Sequence, residues 1–306
     1  MVSDKRNICI FCKSKAVSGM GNIPDYWYCS VCLLGWLKKI PRIVYNENYY
    51  IGKSNFASII FNPIAQFFYF IRQTYVGLHK KNIWIDCGAG EGGFLRTVRA
   101  RKKFGVEISS SGRKMMKKIG LSTLSDKEFL LAKKLNADII SFWHVIEHLE
   151  EPISYLFAAY ENLNENGKLV IGIPNHKSFE FKVFGKYWFH LVPDYHIWHF
   201  SPKSITQLLN KTGFTVEFID NWSIEHHLAG ILQSFINKSS GSDSVLHRLL
   251  KRGLNYSPSL KDILWSVFWL SIGLPVVLLF WIASSILHQS GTIVIVASKK
   301  DKVVYS

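Results

Sequence analysis

Between residues 83 and 221 short apolar runs alternate with longer stretches whose apolar positions recur at helical spacing. Runs of that length, bounded by glycine or polar residues, read as buried strands; the stretches between them read as amphipathic helices. The pattern predicts strands at 83–87, 103–108, near 121–124, 138–143, 168–174 and 214–221. Helices are predicted at 92–100, 110–119, 126–135, 151–164 and 202–212. Such alternation implies an α/β fold with a doubly wound, mostly parallel sheet and a ligand at the strand C-termini. Upstream, residues 41–62 are mixed and aromatic, as in a connector. Asn62-Pro63 then reads as the start of a helix reaching Leu78, with asparagine as cap and proline at the first position.

The first strand runs into Asp86-Cys87-Gly88-Ala89-Gly90-Glu91-Gly92-Gly93-Phe94. Glycines at 88, 90 and 92 allow a tight turn and leave the backbone open to a ligand. Gly88, Gly90 and Gly93 also satisfy a dinucleotide fingerprint. Asp86, however, would repel a pyrophosphate, whereas its carboxylate suits the ammonium of a cofactor with an amino-acid end. Glu107 lies 19 residues beyond Gly88, where an acid can accept from both hydroxyls of a ribose.

A third piece, Asp138-Ile139-Ile140-Ser141-Phe142-Trp143-His144-Val145-Ile146-Glu147-His148-Leu149, follows in order. Together the three closely resemble the Rossmann-like, S-adenosylmethionine-dependent methyltransferases, in the branch that includes ubiquinone-pathway and glycan methyltransferases. The resemblance runs from about residue 83 to 223 and resumes at 291–300. It implies a seven-stranded sheet, S-adenosylmethionine as cofactor, and cofactor-binding roles for Asp86, Gly88, Gly90, Gly92, Glu107 and Trp143. It also implies a substrate lid over residues 176–200, a stretch crowded with aromatic rings suited to stacking on a sugar, to covering a lipid chain, or simply to packing.

His144-Val145-Ile146-Glu147-His148 matches a zinc-protease signature as well, but that signature needs both histidines on one helix face. Small-RNA 2′-O-methyltransferases of the same branch hold a divalent ion with glutamate and histidine at this place plus a later histidine. His196 or His199 could supply the last ligand, although His144 stands where that pattern has its first glutamate. Otherwise Glu147 and His148 shape the pocket, with His144 or His148 as a general base on a hydroxyl acceptor.

Net charge is +15 over 306 residues, with 48% hydrophobic and 14% aromatic content. So basic a chain implies an anionic partner such as nucleic acid or an acidic membrane surface, unless surplus lysine only aids solubility. No apolar run follows the N-terminus, so no signal peptide is expected. Cys9, Cys12, Cys29 and Cys32 form two C-x-x-C pairs 16 residues apart, the usage of a reducing compartment. That spacing predicts a four-thiolate structural zinc ribbon over residues 1–45, with the metal substituting for a core so small a module cannot build.

About 70 residues separate strand 214–221 from a last strand at 292–298. Asn237–Ser244 reads as a polar loop and Val245–Arg252 as a basic amphipathic turn. Residues 263–287 then run 25 positions without a charge, divided by Pro275. That length fits a transmembrane helix, about 20 residues. Yet the last strand must rejoin the sheet on the same side of any membrane. The part before Pro275 would also reach only about 18 Å against an apolar core of roughly 30 Å. Basic residues flank both ends, favouring the cytoplasmic side. The reading is a broken helical hairpin dipping into an anionic inner leaflet, or else a buried helix pair.

Taken together, the sequence predicts a membrane-associated methyltransferase core (83–222, completed by 291–306) with a zinc ribbon, a connector (46–82) and an apolar insert (223–290). The expected acceptor is a sugar of a lipid-linked glycan. A ribosomal-RNA methyltransferase and a non-enzymatic membrane adaptor are the rival readings.

Overall fold

The computed structural model describes residues 7–40, 55–242 and 258–300, and the side chains of all these but 55–62. The N-terminal strands β1 (Val17–Met20), β2 (Ile23–Cys29) and β3 (Leu34–Leu37) form an antiparallel meander. Helix α1 (Asn55–Thr74) follows. It does not begin at Pro63 but runs through it, the apolar positions Ile59 and Ile60 extending its pattern upstream. A proline inside a helix removes one ladder hydrogen bond.

Next come β4 (Lys81–Cys87), α2 (Gly93–Thr97), β5 (Ala100–Val106), α3 (Ser110–Lys118), β6 (Ser122–Leu124), α4 (Asp126–Leu131), β7 (Ala137–Trp143), α5 (Pro152–Asn162) and β8 (Leu163–Pro174). Helix α2 stops earlier than its sequence pattern suggests because Val98 is extended and Ala100 already pairs with Lys81. Helix α4 is likewise cut short at extended Ala132. Beyond β8 lie α6 (Phe179–Phe184), the two-residue β9 (Trp198–His199), α7 (Pro202–Lys211), β10 (Phe214–Asp220), α8 (Ile224–Ser240), α9 (Leu260–Leu270), α10 (Leu274–Ile286) and β11 (Thr292–Lys299).

Seven strands form one sheet in the order β10-β11-β8-β7-β4-β5-β6. Strands β4 to β8 pair in parallel, and β11 runs antiparallel between β8 and β10. The chain winds outward from β4 to β6 and then jumps back to place β7 on the other side of β4. Between the carboxyl ends of β4 and β7 lies the switch point, where an α/β sheet opens a crevice.

The N-terminal meander is not a separate bead. Strand β9 extends it to the order β1-β2-β3-β9, pairing Gly35 with His199 and Trp36 with Trp198. Leu37 N–H donates to Ile197 O at 3.0 Å, and Lys211 donates to the carbonyl of Phe11. Phe11, Cys9, Cys29 and Cys32 share one apolar cluster with Trp198, Phe200 and the sheet interior.

Asn237–Ser240, read from sequence as part of a loop, is instead the last turn of α8. The predicted basic turn at 245–252 lies outside the described residues. Helices α9 and α10 both pack on α8. The break between them falls at 271–273, just before Pro275, which occupies the first turn of α10.

Candidate active site

At the end of β4 the chain turns sharply through Gly88, Gly90 and Gly92, at φ of 73°, 56° and 82°. A Cβ on Gly88 would also come within 2.2 Å of Val145 Cγ2, so β7's exit loop leaves no room for a side chain there. Beside the turn opens a cleft of about 220 Å³ lined by Tyr69, Arg72, Asp86, Gly88, Gly90 and Trp143 among others. A larger groove, about 640 Å³, lies at the opposite ends of the strands. Its charges already serve one another, Lys168 with Glu217, and Asp138 with Asn164 and the N–H groups of Asn82 and Ile83.

Asp86 is buried and accepts from Ser141 Oγ–H at 2.6 Å, while Ser141 accepts from Trp84 Nε1–H at 3.0 Å. Burial pushes the Asp86 carboxyl up to about 7, against the opposing pull of Ser141 and of Arg72. Glu107 does not line the cleft; it braces the turn. Its Oε2 accepts from Gly90 N–H at 2.9 Å and its Oε1 from Ser109 N–H at 2.8 Å. Gly92 is the N-cap of α2, and its own missing Cβ leaves space for Leu121 and Met116.

Trp143, at the end of β7, is the floor under a cation. The Arg72 guanidinium sits 4.8 Å from its ring and 5.4 Å from that of Phe94. Glu225, on the first turn of α8, holds Arg72 through two hydrogen bonds, Nε–H to Oε2 at 2.8 Å and Nη2–H to Oε1 at 2.5 Å. Burial alone would raise the Glu225 carboxyl, but His226 and Arg72 hold it well below its usual range.

The predicted histidines separate. His144 adopts φ of 56° and turns its ring to His226, 4.0 Å away, with His190 at 6.0 Å and Glu147 Oε1 3.3 Å from Nδ1. Burial, reinforced by His226, holds His144 well below the usual histidine range, so its ring is neutral at pH 7. His148 lies in the 3-10 turn Ile146–His148 and points elsewhere, its Nδ1 2.9 Å from Tyr195 O and its ring 4.6 Å from that of His196. The two are therefore not on one helix face, and the protease signature is not fulfilled. Glu147, 1% exposed, has no hydrogen-bond partner on either oxygen. Its carboxylate with one ring nitrogen each of His148 and His196 brings three donors within 4.8 Å of one another. His199, the alternative to His196, is instead packed against Tyr26 of the N-terminal sheet, 4.9 Å between rings. The four cysteines likewise bring their sulfurs within 4.8 Å of one another.

Residues 59–218, 160 of the 306, match a family model described as a methyltransferase domain. The chain belongs to this methyltransferase family. Among solved structures, this methyltransferase resembles a chain of the complex between the Trm112 methyltransferase activator of Haloferax volcanii and a methyltransferase, at 13% identity and a TM-score of 0.50 over 85% of this chain and 100% of that one. It also resembles the geranyl diphosphate C-methyltransferase of Streptomyces coelicolor A3(2), at 10% identity and a TM-score of 0.49 over 86% and 89% of the two chains. These likenesses concern the fold. No curated protein matches the sequence.

As a member of this family the methyltransferase is S-adenosylmethionine-dependent, and the cleft at the switch point has the right chemistry for that cofactor. An acid faces it, glycines open the backbone beside it, and aromatic rings floor it. Sequence reasoning did not reach Tyr69, Arg72, Glu225, His190 or His226. Arg72 and Glu225 are 153 positions apart, on a connector helix and on the insert. The one available signal was helical spacing of Leu228, Ile231 and Phe235, which marks 224–240 as a packed helix rather than as loop.

Proposed function

We propose that this methyltransferase works at the cytoplasmic face of an anionic membrane and O-methylates a sugar of a lipid-linked glycan. The observation that carries the reading is the bare apolar surface of the hairpin. Leu264, Val267 and Leu279, on two helices bent by 67°, and Ile272, in the break between them, are 60%, 61%, 67% and 76% exposed. So large an apolar face on a soluble protein marks a contact surface. At 11 and 13 residues the helices reach only about 17 and 20 Å, short of a bilayer core of roughly 30 Å. A hairpin lying in one leaflet fits both lengths, and it lets β11 return to the sheet.

Within the cleft, Asp86 would hold the cofactor's ammonium, with Gly88, Gly90 and Trp143 shaping its bed; Glu107, whose two oxygens are taken by backbone N–H groups, and Gly92 would set the turn beside it rather than line it. Bound there, S-adenosylmethionine supplies an electrophilic methyl group. His144, neutral and backed by Glu147, takes the proton of an acceptor hydroxyl, and the carboxylate steadies the imidazolium that results. A second reading, favoured by the buried Glu147 carboxylate, neither oxygen of which accepts a hydrogen bond, places a divalent ion on Glu147, His148 and His196. The four cysteines would hold a structural zinc, four thiolates being its preferred closed set.

Two observations weigh against the RNA reading. The ribbon spends one sheet edge on the protein's own lid through β9, and the apolar hairpin has no use on RNA. Against an adaptor without activity stands the intact cleft. The experiment is to incubate membranes and ribosomes from the source cells with the methyltransferase and methyl-labelled cofactor. Label extracting with lipid supports the proposal; label in RNA or protein refutes it.

A further inference from the structure

We propose that Glu225, carried by the insert, is a positioning residue for the amino-acid end of the cofactor, because it holds Arg72 across the cleft as the cation for the cofactor's carboxylate. The inference rests on the placement of that amino-acid end beside Asp86. An α-amino acid is a zwitterion, so a site for it needs one fixed anion and one fixed cation, and Asp86 and Arg72 line the same cleft. Two opposite charges in one small cleft would close on each other and leave neither for the ligand. Glu225 prevents this. Its two hydrogen bonds take the Nε and Nη2 edge of the guanidinium, leaving the Nη1 group for a ligand. The rings of Trp143, Phe94 and Tyr69 lie 4.8, 5.4 and 5.6 Å from the guanidinium carbon and keep the plane in place. The pair is largely shielded, with side chains 12% and 17% exposed, so it is more than a solvated surface bridge.

A consequence concerns the insert as a whole. Helix α8 presents Glu225 to the cleft on its first turn and receives the hairpin along its length. The rings of Phe235 and Trp269 stack at 4.2 Å, Trp269 Nε1–H donates to Ser239 Oγ at 2.9 Å, and Ser284 Oγ lies 3.1 Å from His227 Nε2. The helix on which the apolar hairpin packs is thus the one that holds Arg72 in place.

The test is calorimetric, on the full chain, with S-adenosylhomocysteine and with 5′-methylthioadenosine, which lacks the amino-acid end. Glu225→Gln and Arg72→Gln should each weaken S-adenosylhomocysteine about 10- to 100-fold, the range for a lost charge-assisted hydrogen bond, and leave methylthioadenosine within about twofold. Equal losses for both ligands, or no loss for either, overturn the proposal. The exchange Arg72→Glu with Glu225→Arg remakes the ion pair while reversing its ends, which covers the case of a single variant that folds poorly. A purely structural pair predicts that the exchange restores S-adenosylhomocysteine binding, and that result refutes positioning. Continued loss with methylthioadenosine binding intact supports it. Failure of the unaltered protein to bind S-adenosylhomocysteine would instead sink the placement of the cofactor itself.

Discussion

Replacing Asp86 by asparagine should move stability and cofactor affinity in opposite directions. The carboxyl is buried at the edge of the cleft and held near 7 rather than at its ordinary 3.8. A folded-state value above the unfolded one means that the folded protein holds the proton more tightly. The resulting stability is present below about pH 4 and is lost progressively as pH rises to about 7. At pH 8 the buried charge therefore costs up to ~4 kcal/mol, at ~1.4 kcal/mol per pH unit. Asparagine keeps the shape, and its carbonyl still accepts from Ser141 Oγ–H, but it carries no charge. Its amide N–H groups bring a penalty of ~1–3 kcal/mol where they lack partners. A net gain of ~1–3 kcal/mol follows, or a few degrees in Tm by scanning calorimetry of the ligand-free protein at pH 8. Affinity for S-adenosylhomocysteine should meanwhile fall by about 100-fold, since the ammonium loses its counter-charge. In the unaltered protein that affinity should rise with pH through about 7, and in the variant it should be flat. A variant that melts lower than the parent, or that binds the ligand as tightly, refutes the account of Asp86.

Gly88→Ala meets both a left-handed backbone and the side chain of Val145; it should cost ~2–4 kcal/mol in chemical denaturation and abolish detectable cofactor binding. Stripping metal with a strong chelator should release one zinc per chain by elemental analysis and lower Tm by several degrees, because Cys9, Cys29 and Cys32 share an apolar cluster with Trp198, Phe200 and the sheet interior. Leu264→Asp combined with Leu279→Asp should abolish flotation with phosphatidylglycerol vesicles while S-adenosylhomocysteine affinity stays within twofold; retained flotation would show that the hairpin is not the anchor. Phe200→Ala, truncating a fully buried ring at the ribbon–core junction, should destabilise by ~3–5 kcal/mol in urea titration.

The strands were legible because buried parallel strands are nearly continuous apolar runs, and Ile139–Phe142 and Leu169–Ile173 are of that kind. The glycine turn was legible because its backbone angles suit little else. Contacts between segments distant in sequence were not. Nothing local in Arg72 says that it lies on Trp143, and nothing local in Glu225 says that it answers Arg72. The end of α2 was misplaced because the pairing of Ala100 with Lys81, a partner on another strand, ends the helix. Pro63 misled for a related reason: an asparagine-proline pair is a good helix start only where no apolar pattern precedes it, and here one does.

Strand β11 lies inside the sheet, flanked by β8 and β10, although it follows both of them in the chain. Until residues 292–299 leave the exit tunnel, the edges of β8 and β10 stay open and the domain cannot close. The hairpin that precedes β11 emerges first, apolar and unsheltered, while its own scaffold is still half built. Biogenesis thus brings the stickiest part of the chain out of the ribosome ahead of the piece that locks the fold, which favours a bilayer or a chaperone meeting the nascent chain before its native shape exists.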